Sequence, residues 1–239
     1  MKGAWSYALG TVLALAVPVA AHGQALDMHG RGVHVYVALD ELEYQPGGDE
    51  RPVEVDALAW LGGDFQRLWA KAHGERGTRG GAGEVEGQLL YGRVIAPYWD
   101  LQAGVAVDAR FGEGDGRARG LLALGLQGLA PYWFEVESVL FLSQDGDVSA
   151  RLQASYDLLF TQRLIVEPEL QLDLAAQDVP RFGVQSGLSA LEIGVRARYE
   201  IMREVAPYAG FVWVRRPRGA DGLGAGEGAS LVAGLRLWY

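Results

Sequence analysis

The sequence has no cysteine among its 239 residues, and only three methionines and four histidines. The lack of cysteine excludes disulfides, iron–sulfur clusters and thiolate metal sites. The formal net charge of −9 argues against nucleic acid as a partner, because nucleic acid is bound mainly through Lys and Arg. Beyond the N-terminal region, charged residues interrupt every apolar run, so no later segment resembles a membrane-spanning helix. The fold must therefore be inferred from the pattern of the remaining residues.

The N-terminal region has the layout of a secretory signal. Lys2 precedes the apolar run ALGTVLALAVPVAA, and small residues follow in AAHGQA, residues 20–25. This order predicts a signal peptide over 1–25, cleaved between Ala21 and Ala25. The alternative, an N-terminal membrane anchor, requires a longer apolar run than this one.

After the signal, apolar and polar residues alternate with period two almost everywhere, which predicts strands. Helical periodicity is not convincing in any part of the mature chain. The twelve predicted strands span residues 32–45, 52–61, 64–74, 83–95, 99–111, 117–129, 133–143, 148–160, 162–175, 187–201, 207–216 and 228–239.

The connections between these strands alternate between two kinds. One kind is polar and rich in glycine, such as PGGDE and HGERGTRGGAG, and the other is mostly short, such as GGD and FTQR. An up-and-down barrel places all connections of one kind at one end, and outer-membrane barrels have short periplasmic turns and longer external loops. The sequence therefore predicts an all-β fold, a transmembrane up-and-down antiparallel β-barrel of about 12 strands. It would occupy 33–239, after a short N-terminal periplasmic segment over 26–32.

The tripeptide Ala-Pro-Tyr occurs at 96–98, 130–132 and 206–208, each time on the short-turn side. Proline has no N–H to lose at the first residue of a strand, and Tyr and Trp favour a membrane–water boundary. These positions predict one aromatic girdle, formed in part by Tyr98, Trp99, Tyr132, Trp133 and Tyr208. The alternative is a soluble β protein with three similar tight turns.

The polar face of the strands carries acids and arginines on neighbouring strands, which suits a wet lumen. We expect these side chains to form a structural network across the lumen, and a hydrophilic path that attracts cations is a compatible second interpretation. The expected carboxylates are Glu84, Glu86, Asp100, Asp108, Glu135, Glu137, Glu167, Glu169, Asp173 and Glu192, and the expected partners are Arg151, Arg163, Arg196 and Arg198. A barrel of this size has a lumen that side chains largely fill, so a narrow path is expected.

Long and uncommon stretches run through the chain: LDELEY, RLWAKAHGE, APYWDLQAGV, LQGLAPYWFEVES, YDLLFTQRLIVEPELQLDLAAQDVP, SGLSALEIGVRARYEI, REVAPYAG and LVAGLRLWY. Together these stretches resemble the copper resistance protein B family of bacterial outer-membrane proteins. The resemblance covers essentially everything after about residue 33. It implies a location in the bacterial outer membrane and a role in copper tolerance, through binding or moving copper ions.

The chain departs from many family members in one respect. They carry a long segment rich in Met and His before the barrel, where this chain has only LDMHGRGVH. Thioether and imidazole are ligands that suit copper. The candidate copper ligands are therefore Met28, His29 and His34, with His73 as a further candidate near the outer end of its strand. The alternatives are a flexible linker with incidental histidines and, for His34 and His73, ordinary hydrogen-bonding roles.

Copper is the expected ligand, and outer-membrane lipids and a periplasmic copper-handling protein are the expected partners. Two other functions remain open, a structural outer-membrane barrel without metal chemistry and an outer-membrane lipid hydrolase. The chain has no Gly-x-Ser-x-Gly motif, and its histidines have no identifiable serine partner, so we expect no enzyme.

Overall fold

A computed structural model describes residues 32–46, 52–78, 81–112, 116–216 and 226–239. The predicted signal peptide and the segment that holds Met28 and His29 lie outside these residues. Within the described ranges the chain is almost entirely β-strand, as the period-two alternation predicts. The two helical segments among the described residues are single 3-10 turns, Pro131–Trp133 and Pro180–Phe182. No described helix is long and apolar enough to cross a membrane.

The strands follow one another with short gaps and agree closely with the predicted bounds. They are β1 His34–Tyr44, β2 Pro52–Gly62, β3 Gln66–Gly77, β4 Gly83–Ala96, β5 Trp99–Phe111, β6 Arg117–Ala130, β7 Phe134–Ser143, β8 Val148–Ser155, β9 Leu158–Leu159, β10 Leu164–Ala175, β11 Gly187–Tyr199, β12 Val205–Arg216 and β13 Gly226–Trp238. The short β9 continues the line of β8, since both pair with the same edge of β10. If β8 and β9 are counted as one interrupted strand, the thirteen segments form a barrel of twelve strands.

The sheet closes on itself. Each of the twelve strands pairs antiparallel with its neighbours in sequence, and β13 pairs with β1. At this seam the Val37 amide donates to the Tyr239 carbonyl at 3.0 Å, and the Tyr239 amide donates back at 2.8 Å. Closure removes the sheet edges, whose unpaired N–H and C=O groups could not be satisfied in lipid. The predicted antiparallel barrel is confirmed.

Alternation divides each strand between an outer and an inner face. In β4, Leu89 is half exposed whereas the next residue, Leu90, is completely buried. The exposed apolar side chains form a belt around the barrel that suits a lipid environment. Its members include Val105, Leu122, Leu140, Val195, Phe211 and Leu231.

The inner face is not uniformly polar, which differs from the expectation of a wholly polar lumen. One side of the interior is filled by a buried apolar cluster of Trp69, Leu90, Ala106, Leu121, Ala123, Val139 and Phe141. These residues lie on the neighbouring strands β3 to β7. The apolar filling narrows the lumen, and charged side chains line the space that remains.

The Ala-Pro-Tyr segments behave in two ways. At 96–98 and 130–132 the chain makes a tight turn in which Tyr98 has a φ of 67° and Tyr132 a φ of 69°. Both tyrosines are exposed, and the Tyr98 and Trp133 rings pack edge to face with centroids 6.4 Å apart. A left-handed backbone conformation is uncommon for an aromatic residue, so the backbone of these turns is strained at the two tyrosines. This part of the aromatic girdle has the predicted exposure.

The other two predicted members of the girdle face inward. Trp99 lines the lumen, and Gly128 opposite it leaves the space, because a Cβ at Gly128 would lie 2.8 Å from the Trp99 ring. The third Ala-Pro-Tyr segment lies inside β12 instead of in a turn. Tyr208 is consequently buried on the inner face. Placing Trp99 and Tyr208 in the girdle was wrong, because strand alternation, and not the tripeptide, decides which face a ring occupies.

Candidate functional site in the barrel lumen

Two cavities occupy the part of the lumen that the apolar cluster leaves open. The larger, of about 690 Å³, extends toward Tyr98 and Trp99 at the short-turn end. The smaller, of about 160 Å³, extends toward Gly183 and Val184 in the β10–β11 connection at the opposite end. Six side chains line both cavities and form the neck between them: Glu54, His73, Glu86, Arg151, Gln171 and Glu192.

The larger cavity carries an excess of negative charge. Eleven carboxylates line it but only six Arg or Lys side chains, besides His73. Low-dielectric walls that carry charge of one sign concentrate counter-ions inside a cleft. The arrangement therefore favours cations over anions in this part of the lumen.

Arg196 on β11 organises the charge near the seam of the barrel. Its guanidinium donates to Glu43 at 3.0 Å, to Glu41 at 3.1 Å and to Glu169 at 2.5 Å. A register shift in β1 between Leu39 and Glu41 brings two consecutive acids, Asp40 and Glu41, to the cavity wall. Strict alternation would send one of them outward, and the bulge prevents this.

Arg151 and Arg198 hold further carboxylates in the same way. Arg151 donates to both oxygens of Glu86 at 3.0 and 3.2 Å and to Asp173 at 2.8 Å. Arg198 bridges Glu167 and Asp157. The predicted network through Arg151, Arg196 and Arg198 is confirmed.

Arg163 does not belong to this network. It lies exposed in the turn before β10, where the chain reverses outside the barrel. Its place in the predicted network was wrong because the strand begins at Leu164, two residues later than the alternation suggested. Lys71, which the sequence prediction missed, joins instead, through Glu137 at 2.7 Å and Gln127 at 3.0 Å.

Of the two candidate metal ligands that lie in the described ranges, His73 lines the lumen and His34 does not. Its Nδ1 is 3.4 Å from Asp56 Oδ2 and 3.9 Å from Glu54 Oε1. Antiparallel pairing produces this arrangement, since His73 is the cross-strand partner of Asp56 on β2 and of Glu86 on β4. Although it was predicted near the outer end of its strand, His73 lies at the neck.

His34 and His73 are not brought together. His34 is exposed at the first residue of β1, opposite Gly62 at the short-turn end. Met28 and His29 lie outside the described residues. In the described ranges, no group of three or more His, Asp or Glu side chains stands ready to hold a metal ion.

The connection between β10 and β11 folds over the outer end of the lumen. Val179 and Val184 bridge to each other around the 3-10 turn, and Phe182 is only 6% exposed. The Arg119 guanidinium lies 4.2 Å from the centre of the Phe182 ring, a cation–π contact inside the barrel. The sequence prediction missed this plug by treating residues 176–186 as an ordinary polar loop.

Asp178 fixes the base of this connection. Its Oδ1 accepts a hydrogen bond from the Ser186 amide at 2.7 Å, which holds the pKa of Asp178 below its ordinary value. On the other side, Arg117 Nη1 donates to the Arg181 carbonyl at 3.0 Å. This connection, the plug of residues 176–186, is therefore held by the hydrogen bonds of Asp178 and of the Arg181 carbonyl as well as by the contact of the Phe182 ring.

Comparison with known proteins adds a family to this geometry. The family model described as "Copper resistance protein B precursor (CopB)" matches residues 33–239. Copper resistance protein B of Escherichia coli is 38% identical over 217 residues, which are 89% of this chain and 72% of that protein. A homolog from Pseudomonas syringae pv. tomato is also 38% identical, over 218 residues, with the same two coverages.

Among solved structures, the NanC porin is similar in fold. Its TM-score is 0.52 at 12% sequence identity, and the match covers 85% of this chain and 99% of the porin. At this identity the likeness supports the outer-membrane barrel architecture and carries no argument about a ligand.

Proposed function

The chain belongs to the copper resistance protein B family, and from this premise we propose that it binds copper ions and moves them across the outer membrane. Its barrel lies in the outer membrane, and its family serves copper resistance. In this role the protein would bind the copper ion and move it, without catalysing a reaction.

The observation that carries the proposal is the charge of the lumen. Eleven carboxylates against six Arg or Lys side chains make the larger cavity a region where cations concentrate. Carboxylate-lined pores conduct cations in this way when binding is weak enough for the ion to leave. The neck and the Phe182 plug make the path narrow, so the barrel differs from an open diffusion pore.

Copper would first bind near the N-terminal end of the barrel. Met28, His29 and His34 offer one thioether and two imidazoles within seven residues of sequence, and these donors suit copper better than carboxylates do. In a barrel with an even number of strands, the first strand begins and the last strand ends on the periplasmic side, where the N-terminal residues would lie. We therefore propose that copper in the periplasm, free or delivered by a copper-handling protein, meets these residues before the lumen. The segment over 1–25 would be removed as a signal peptide before assembly.

Two alternatives have less support. A purely structural barrel does not require an excess of carboxylates in the cavity, since a balanced network closes a barrel equally well. A lipid hydrolase requires a serine beside a histidine. His73 faces Glu54 and Asp56, and His34 is exposed at the strand start; neither has a serine contact within the described ranges.

The test is a copper titration of the purified, folded barrel, in the wild type and in the triple variant Met28→Ala, His29→Ala, His34→Ala. The proposal expects the triple variant to lose about one equivalent of bound copper and to keep its heat-modifiable mobility on gels. Unchanged stoichiometry and affinity would overturn the N-terminal site. Absence of copper binding by the wild type would overturn the proposal as a whole.

A further inference from the structure

The neck of the lumen contains two carboxylates, Glu54 and Asp56, that make no close ion pair with an Arg or Lys among the described residues. Arg151 is fully engaged by Glu86 and Asp173, and Arg196 by the carboxylates around the seam. Within the described residues, Glu54 and Asp56 have an ion-pair partner only in His73. A cation that passes from one cavity to the other must pass these carboxylates, because Glu54 and His73 line both cavities.

As they stand, the three side chains do not form a ready ligand set, but the His73 imidazole lies close to both carboxylates. Bonds of about 2.0 Å, as in protein metal sites with imidazole and carboxylate ligands, put neighbouring donors of a tetragonal ion about 2.8 Å apart and opposite donors about 4.0 Å apart. The distances from His73 Nδ1 to Asp56 and to Glu54, 3.4 and 3.9 Å, lie within this range. Side-chain rotations that bring both carboxylates and the imidazole onto one ion would convert these ion pairs into a ligand set.

The donors available in the lumen also discriminate between the oxidation states of copper. The chain has no cysteine, and its one methionine in the described ranges, Met202, is exposed near the short-turn end outside both cavities. The described lumen thus offers nitrogen and oxygen donors without sulfur. Cu(I) is selected by soft thiolate and thioether ligands, whereas Cu(II) suits nitrogen and oxygen donors in tetragonal geometry.

We infer that His73, Asp56 and Glu54 form a transit site for Cu(II) at the neck of the lumen, distinct from the N-terminal residues, and that the lumen passes Cu(II) in preference to Cu(I). This inference rests on the proposed function, since it names the ion and the position for the passage proposed above. Two carboxylates and one imidazole give a site of moderate affinity, which a conducting path requires, because an ion held too tightly would block it.

The experiment uses the full chain, folded in detergent, with the N-terminal ligands removed by Met28→Ala, His29→Ala and His34→Ala. Copper(II) sulfate is the probe, and electron paramagnetic resonance reads the ligands of the bound ion. We expect one bound Cu(II) whose spectrum shows coupling to an imidazole nitrogen. Adding His73→Gln should remove that coupling, and adding Asp56→Asn should weaken binding at least tenfold.

Glu135→Gln in the same background is the matched control. Glu135 lines the larger cavity, has no ion-pair partner among the described residues and lies at the short-turn end of β7, away from His73. It removes the same charge as Asp56→Asn, and we expect Cu(II) affinity within twofold of its parent. Heat-modifiable mobility on gels establishes that each variant is folded.

Three results would overturn the inference while leaving the proposed function intact. The first is loss of all Cu(II) binding in the N-terminal triple variant when the wild type binds copper. The second is a nitrogen-coupled Cu(II) signal that survives His73→Gln, or equal weakening by Asp56→Asn and Glu135→Gln. The third is Cu(I), supplied under reducing conditions, that binds the triple variant as tightly as Cu(II). If the wild type binds no copper in any form, the proposed function itself fails.

Discussion

Replacing Arg196 with methionine should destabilise the barrel more than any other single loss of charge in the lumen. Arg196 is 6% exposed and donates to three carboxylates, of which Glu43 is only 1% exposed. Methionine fills a similar volume but leaves these acids without a cation. Removing one partner of a buried ion pair costs about 3–5 kcal/mol.

Water in the adjacent cavity reaches Glu41 and Glu169, whose side chains are 19% and 24% exposed, and screens part of this effect. We therefore expect the free energy of unfolding to fall by about 3 kcal/mol, the lower end of that range. The loss should shrink at acid pH, since protonated carboxylates no longer need the cation.

The measurement is equilibrium unfolding in urea, followed by tryptophan fluorescence, of the purified barrel in lipid or detergent. Arg163→Met is the control, because Arg163 is exposed in a turn and its side chain makes no hydrogen bond or ion pair with the described residues. Its expected effect is within about 0.5 kcal/mol. A loss below about 1 kcal/mol for Arg196→Met, or one equal to the control, would refute the view that Arg196 organises the lumen.

Other expectations follow from the same geometry. Leu172→Arg should impair assembly in the outer membrane, at a cost of about 2–4 kcal/mol near the midplane, whereas Gln171→Arg on the lumen face should be tolerated; equal heat-modified fractions on gels would contradict the assignment of faces. Phe182→Ala should raise single-channel conductance in planar bilayers by removing the ring that Arg119 holds over the outer end, and unchanged conductance would show that this ring does not limit the path. Copper affinity at His29 and His34 should fall as the pH is lowered, because imidazole must be neutral to bind metal. If replacing both histidines with alanine leaves the isothermal titration curves unchanged at two pH values, the N-terminal site is excluded.

The strands and the closure of the barrel could be predicted because each depends on local alternation. In β10 the inward Gln171 and Asp173 and the outward Leu172 follow period two without interruption. Lipid outside and water inside impose this contrast along the whole length of the strand. The boundaries of the strands were accordingly close to those observed.

Features that depend on contacts between distant segments could not be predicted in this way. The position of His73 at the neck follows from the register of β2, β3 and β4, which single-strand alternation does not define. The bulge in β1 that brings Asp40 and Glu41 to the same wall has no signature in composition.

The apolar cluster and the plug depend on packing across the lumen. Phe141 and Leu121 alternate with other apolar residues in strands that read as apolar on both faces, so the sequence did not distinguish lipid-facing from buried positions. The plug had a weak local signal, a 3-10 turn that begins with Pro180 and is followed by Gly183, but only the contact with Arg119 places Phe182 inside the barrel.

The most direct test of copper movement through the lumen is flux into lipid vesicles that contain the purified, folded protein and an encapsulated copper-sensitive dye. We expect external Cu(II) to quench the dye faster than in protein-free vesicles, and we expect His73→Gln to change this rate far more than Glu135→Gln does. Quenching no faster than in protein-free vesicles, with the barrel shown to be folded, would contradict the proposed movement of copper through the lumen.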